Sequence, residues 1–129
     1  MIILFALVRC GGKGTHGRII DFILDNHFMS PREGDEAIRS NGQKAIINDL
    51  EYARQDLKDR GLLSMPQYGM WAITDDGKKL IIKIARKLLA ERPLWDKALA
   101  DGQFRRIGKP FLDAMESYAK NLLSEESEK

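Results

Sequence analysis

Apolar residues recur at helical spacing along much of the chain, and the breaks between these stretches predict the order of the elements. Residues 2–9 are almost entirely apolar and run into a glycine-rich stretch, which predicts a first helix followed by a turn. From residue 16 to residue 26 the apolar positions share one face, and Thr15 is placed to cap this second helix. The spacing of Ser30 and Glu33 predicts a short helical segment, which ends near an Asn-Gly turn.

A longer helix is predicted between residues 43 and 61. Its core positions, at helical spacing, are Ile46, Leu50, Ala53 and Leu57. Its opposite side carries polar side chains, namely Lys44, Asn48, Glu51 and Gln55. Gly61 is expected to end the helix because glycine readily takes the left-handed conformation of a helix C-terminus.

The segment after this helix has the pattern of a β-hairpin. Residues 62–66 and 70–74 are two short apolar runs, and Gln67, Tyr68 and Gly69 lie between them as the hairpin tip. Thr74 is then placed to cap a further helix. Three helices, a hairpin and a helix in this order predict a winged helix-turn-helix with a two-stranded wing, which is a mainly α, α+β fold.

The last third of the chain predicts a helical extension. A helix beginning at Pro110 has an apolar face made of Phe111, Met115, Tyr118, Ala119 and Leu122, and residues 124–129 are expected to form a frayed acidic tail. We expect a winged-helix domain over residues 1–92 and a helical extension over residues 93–129. The apolar face of the extension, with Leu94 and Trp95, predicts a homodimer, because an uncovered apolar surface favours association.

Composition and charge describe an ordinary globular chain. The 129 residues are 43% hydrophobic and 31% charged, which suits a single domain-sized unit. A formal net charge of +2 means that nucleic-acid binding would depend on local clusters of Lys and Arg. Cys10 is the only cysteine, so an internal disulfide is excluded and a cytoplasmic location is expected. The apolar start is shorter than the ~18 residues of a membrane span, so no membrane association is expected.

The residue types needed for catalysis or metal binding do not occur in recognisable patterns. Cys10, His16 and His27 match no zinc spacing, and the sequence has no clustered carboxylates followed by Glu-x-Lys of the kind that a restriction nuclease uses. It also lacks a phosphate-binding loop ahead of Lys-Ser or Lys-Thr, and a Ser or Cys nucleophile paired with a base. We therefore expect no metal, no cofactor and no enzymatic activity.

Several short motifs in the central part of the chain match a known family. They are Asn48, Tyr52-Ala53, Leu57, Gly61-Leu62, Pro66, Gly69-Met70-Trp71, and Thr74 with Gly77. This pattern resembles the N-terminal domain of Mrr-type restriction endonucleases and, more distantly, winged-helix regulators of the PadR and MarR types. The resemblance implies a winged-helix DNA-binding fold. The family tends to have arginine at two positions where this chain has Asp49 and Tyr68, which removes two candidate phosphate contacts.

Candidate DNA contacts lie on the long helix and at the hairpin tip. Lys44 is a candidate phosphate contact, and the amides of Asn48 and Gln55 suit adenine in the major groove. Gln67 and Tyr68 are candidates for the minor groove or the backbone. Each set also fits a solvated helix face or an ordinary turn, and the aromatic rings of Tyr52 and Trp71 are expected in the core.

Basic side chains also form a stripe on the helix after the hairpin, at Lys79, Lys83, Arg86 and Lys87. Such a stripe opposite an apolar face is typical of a solvated surface, and Arg105 and Arg106 are interpreted in the same way. Phosphate binding is the alternative for both.

Three functional hypotheses follow from these patterns. The first is a DNA-binding module without catalytic activity, either a small regulator or the recognition part of a restriction or defence system that binds double-stranded DNA. The second is a protein-interaction module on a winged-helix scaffold that has lost DNA binding. The third is a transcription regulator of the PadR or MarR type.

Overall fold

The structure is a computed structural model that describes residues 1–29, 41–102 and 107–127, without the side chains of residues 41–45 and 126–127. The predicted capping segment at Ser30 and Glu33, and the pair Arg105 and Arg106, lie outside the described residues. So does the side chain of Lys44.

The described residues form helices around a small antiparallel sheet, in winged-helix order. The elements are α1 (Ile2–Arg9), β1 (Lys13–Thr15), α2 (His16–Asp25), α3 (Asn41–Asp59), β2 (Leu63–Gln67), β3 (Met70–Ile73), α4 (Asp75–Ala90), α5 (Arg92–Ala100) and α6 (Lys109–Ser127). The strand order is β1-β3-β2. The wing hairpin is therefore confirmed, and β1 adds a third strand on its β3 side that the hydrophobic pattern did not predict.

Local sequence signals gave the ends of several elements correctly. Thr15 caps α2 by accepting a hydrogen bond from the backbone N–H of Arg18 at 3.3 Å. Gly61, after α3, has a φ of 76°, and Gly69, in the wing turn, has a φ of 74°. Both lie in the left-handed region that glycine adopts without steric cost.

The joint between α3 and α4 explains the Thr-x-x-Gly motif. The Thr74 hydroxyl donates to the carbonyl of Gly61 at 2.7 Å and accepts from the N–H of Gly77 at 3.1 Å. A β-carbon at Gly77 would lie 2.2 Å from the carbonyl oxygen of Leu62, which is too close for two non-bonded atoms. Thr74 and Gly77 therefore hold the end of α3 against the beginning of α4.

Much of the apolar face of α6 lies inside the chain's own core. Phe111 and Met115 are fully buried. The ring of Phe111 lies 5.6 Å from Phe5 of α1 and 5.6 Å from Phe28, measured between centroids. The extension thus shares the core of the winged-helix part. Of the residues predicted to contact a second copy, Leu94 is exposed and Trp95, Tyr118 and Leu122 are half-buried. The homodimer therefore stays a prediction.

Arg92 fastens α5 to α6. Its guanidinium contacts Asp96 on α5 at 2.7 Å and Asp113 on α6 at 2.6 Å, and it also reaches Glu116 on α6. Partial burial disfavours the charge, but the hydrogen bonds to Asp113 and Asp96 outweigh this and raise the pKa of Arg92. α5 and α6 are therefore joined to each other by ion pairs, and they are joined to the rest of the described chain by packing.

Three smaller expectations were wrong. Ala53 is exposed although Ile46, Leu50 and Leu57 are buried as predicted. The Asn-Gly pair at residues 41–42 forms the beginning of α3 instead of a turn before it, and α6 continues through most of the predicted acidic tail to Ser127.

Candidate nucleic-acid interface

The outer face of α3 carries Asn48, Tyr52 and Gln55. These residues follow one another at spacings of four and three and lie opposite the buried Ile46 and Leu57. All three side chains are exposed, and Tyr52 is 80% exposed, so the expectation that its ring belongs to the core was wrong. An aromatic ring on the outer face of a helix contributes nothing to packing on that side, and it is available to a partner.

Gln55 is partly fixed by a neighbour on the same face. Its Nε2 donates a hydrogen bond to Asp59 Oδ1 at 2.9 Å, one helical turn further along. This leaves the amide oxygen and a second N–H hydrogen on the side chain for other contacts. Asn48 and Tyr52 line an open depression on this face together with Gln55.

The wing tip presents the other two candidate residues. Gln67 and Tyr68 are both exposed, and the Tyr68 side chain projects fully into solvent. The base of the tip is held by the body of the domain, because the N–H of His16 donates to the carbonyl of Gly69 at 2.8 Å. The tip is therefore anchored at its base while its two side chains remain exposed.

A chain of polar contacts fixes α3 relative to the wing. His16 Nε2 lies 2.8 Å from Glu51 Oε1, and Glu51 Oε2 accepts a hydrogen bond from Arg54 Nε at 3.1 Å. Arg54 Nη1 then reaches the sulfur of Met65 on β2 at 3.2 Å. These residues line a cleft of about 290 Å³ between α3 and the hairpin.

His16 also contacts the wing through its ring. Its centroid lies 5.4 Å from that of the buried Trp71 in an edge-to-face arrangement. The core position predicted for Trp71 is confirmed. These contacts hold α3 and the wing to each other through α2.

The described part of α3 carries no excess of positive charge. Its carboxylates are Asp49, Glu51, Asp56 and Asp59, and its cations are Arg54 and Lys58. Arg54 is paired with Glu51, and Arg60, just after the helix, is paired with Asp56 at 3.2 Å. Since phosphate neutralisation supplies most sequence-independent affinity for DNA, the described side chains of this face are poorly suited to contacts with phosphates.

The comparison with known families decides the classification of the chain. Residues 1–83 match the family described as the Mrr N-terminal domain, which is well over half of the sequence. The chain belongs to this family. No curated protein and no solved structure matches it. The family match ends within α4, so the rest of α4 and all of α5 and α6 lie outside it.

Three groups can be distinguished in the structure among the motif residues that resemble the Mrr N-terminal domain. Gly61, Gly69, Thr74 and Gly77 are explained by backbone conformation, capping or close packing. Leu57 and Trp71 are explained by burial. Asn48, Tyr52 and Ala53 are exposed, and packing within the chain does not explain them.

Sequence reasoning missed two features of this surface. Tyr52 is one, although a helical wheel places it well away from the arc of Ile46, Leu50 and Leu57. The contact between His16 and Glu51 is the other, and no local signal indicates a pairing over that separation.

The described residues contain neither a candidate metal centre nor a candidate membrane-spanning helix. No group of three or more His, Cys, Asp or Glu side chains there is arranged to hold a metal ion. No helix in the same ranges is long and apolar enough to cross a membrane.

Proposed function

We propose that this chain is a DNA-binding module of the Mrr N-terminal domain family that presents α3 to the major groove of double-stranded DNA. The observation that carries the proposal is the exposed row of Asn48, Tyr52 and Gln55 on a helix whose opposite side is buried. In a winged helix this helix is the one that enters the groove. Its family membership supports a role as the recognition part of a restriction or defence system, with a small transcription regulator as the alternative.

Each exposed side chain has a distinct role in this proposal. The Asn48 amide pairs with the edge of adenine, which offers an acceptor at N7 and a donor at N6. Tyr52 supplies an apolar surface against bases or the methyl group of thymine. Gln67 and Tyr68 at the wing tip contact the backbone or the minor groove, and Lys44, at the beginning of α3, contacts a phosphate.

The proposal is tested by measuring duplex affinity at several salt concentrations on one preferred and one scrambled sequence. Asn48→Ala is expected to cost on the order of 1–3 kcal/mol on the preferred duplex and little on the scrambled one, because a base contact is lost. Lys44→Ala is expected to weaken both equally and to lower the salt slope by about one unit, because a phosphate contact is lost. Asn121→Ala on α6 is the matched control, since Asn121 is also an exposed helical asparagine.

The result that contradicts the proposal is a wild-type chain that binds duplex while neither Asn48→Ala nor Lys44→Ala changes affinity. A loss of the same size in Asn121→Ala would also contradict it, because the effect would then not belong to α3.

We also propose that the chain does not cleave DNA. The proposal is supported by the absence from the sequence of a carboxylate cluster followed by Glu-x-Lys. Purified protein is expected to leave plasmid DNA intact with magnesium or manganese. Cleavage that co-purifies with the protein through successive columns and disappears on chelation would overturn this.

A protein-interaction module is the second candidate function. The acidic balance of α3 and the exposed rings of Tyr52 and Tyr68 favour it, because neither depends on a polyanion. If the chain has this second function, the wild type is expected to show no salt-dependent binding to duplex DNA.

A further inference from the structure

The outward face of α4 carries a row of lysines that the proposed function does not use. Lys79, Lys83 and Lys87 follow one another every four residues and are all exposed. They lie opposite Ile81 and Leu88, which are fully buried. These three residues are called the α4 lysine row below.

The α4 lysine row differs from the described arginines that are paired with carboxylates. Arg54 is paired with Glu51, and Arg92 with Asp96 and Asp113. Among the described residues, no carboxylate forms a salt bridge with any lysine of the row. An anionic partner can therefore contact these ammonium groups without breaking an ion pair between described residues of the chain.

The spacing of the row suits a nucleic-acid backbone. A helix rises 1.5 Å per residue, so the row is about 12 Å long. Duplex DNA carries one negative charge per ~1.7 Å of its axis, counting both strands, so several phosphates fall within that length. Residues four apart share one face of a helix, so the three ammonium groups lie on the same side of α4.

The row lies on a different element from the proposed base-reading face. α4 packs on α1, α5 and α6, whereas α3 packs on α1 and β2. The described part of α3 has no surplus of cations, so the phosphate attraction that a DNA-binding module needs has to come largely from elsewhere.

We propose that the α4 lysine row is a second, sequence-independent DNA-binding surface that holds the phosphate backbone of duplex DNA. This inference rests on the proposed function, and it assigns the electrostatic part of binding to α4 and the base-reading part to α3. An ordinary solvated surface, in contrast, would contribute nothing to the salt dependence of duplex binding.

The test compares two triple variants that remove the same number of positive charges. Lys79→Gln/Lys83→Gln/Lys87→Gln removes the row. Lys97→Gln/Lys109→Gln/Lys120→Gln removes three exposed lysines of α5 and α6, of which Lys120 lies 3.5 Å from Glu116. The row variant is expected to lower the salt slope of duplex binding by about two to three units, on the order of a hundredfold in affinity at 0.1 M salt. The effect should be equal on preferred and scrambled duplexes. The control variant is expected to keep the wild-type slope, and both variants should keep the wild-type melting temperature.

The outcomes separate this inference from the proposed function. If wild type binds and the row and control variants have equal slopes, the row is solvated and the inference is wrong, while the role of α3 stands or falls with Asn48→Ala. If the row variant loses the slope and Asn48→Ala has no effect, the row is supported and the role of α3 is not. A row that is needed for binding anionic lipid vesicles but not duplex would overturn the choice of DNA as partner. A wild-type chain that does not bind duplex would overturn both.

Discussion

The sequence predicts a partner contact at two faces, the apolar face of α6 and the polar face of α3. In the structure, much of the first face is buried and the second is exposed. The α6 face is covered mainly by α4, and Phe111 also lies against Phe5 of α1 and Phe28 after α2. The α3 face, with Asn48 and Tyr52, is exposed. An amphipathic pattern shows that a face must be covered, but the cover can come from the same chain. The polar face of α3 is not covered by the described residues, and a partner contact there stays a prediction.

The largest effect that tests this comparison is expected at Phe111. Because its ring is fully buried between two other aromatic rings, Phe111→Ala should lower the free energy of unfolding by about 3–5 kcal/mol. Leu94→Ala is the control, since Leu94 is 64% exposed and its removal should change stability by less than about 0.5 kcal/mol. Denaturant unfolding of both variants measures these changes.

The same variants test the predicted homodimer. Light scattering of the wild type over a range of concentrations shows whether a dimer forms. Phe111→Ala could leave the free energy of unfolding unchanged and yet dissociate a dimer. The α6 face would then be a subunit contact, and its burial within one chain would be wrong. If Leu94→Ala dissociates a dimer, the contact lies at the exposed part of α5.

Much of the fold could be predicted because its signals are local. The φ values of Gly61 and Gly69 and the capping by Thr15 and Thr74 depend on neighbouring residues, so the sequence is sufficient to find them. β1 could not be found in this way. It is three residues long with little apolar pattern, and it exists because its Lys13–Thr15 backbone pairs with β3, more than fifty positions later.

The candidate site was predicted only in part, because some of its features follow from local sequence and others depend on contacts between distant residues. The exposed positions of Asn48 and Gln55 follow from helical periodicity, whereas Tyr52 was misplaced because aromatic rings are more often buried than exposed. The contacts from His16 to Glu51 and from Arg54 to Met65 join distant parts of the chain, and they depend on how α3 crosses the sheet.

An intermediate effect is expected at Gly77, where the beginning of α4 lies close to the backbone that follows α3. Gly77→Ala places a methyl group 2.2 Å from the backbone oxygen of Leu62, and a backbone atom cannot move away as a flexible side chain can. The expected loss of stability is about 2–3 kcal/mol despite the better helix propensity of alanine. Thermal and denaturant unfolding measure it.

Gly17→Ala is the matched control for this substitution. Gly17 also lies in the first turn of a helix, and a β-carbon there meets no atom within 4 Å. It is expected to be neutral or to stabilise the chain by at most about 1 kcal/mol. Equal stability of Gly77→Ala and Gly17→Ala would show that the α3–α4 joint tolerates the displacement.

The smallest effect on stability, and the one that most directly tests the α3 face, is expected at Tyr52. Because its side chain is exposed, Tyr52→Ala should change the free energy of unfolding by less than about 0.5 kcal/mol. On the proposed function it should nevertheless cost on the order of 1 kcal/mol of duplex affinity, about fivefold, because an apolar contact with the bases is lost. Tyr52→Phe keeps the ring and should retain most of the affinity, which separates ring contact from hydroxyl bonding. If Tyr52→Ala destabilises the fold as a core substitution would, the ring is not on an outer face. If it is stable and binds as the wild type does, Tyr52 lies outside the interface, and Asn48 and Gln55 must read the bases without it.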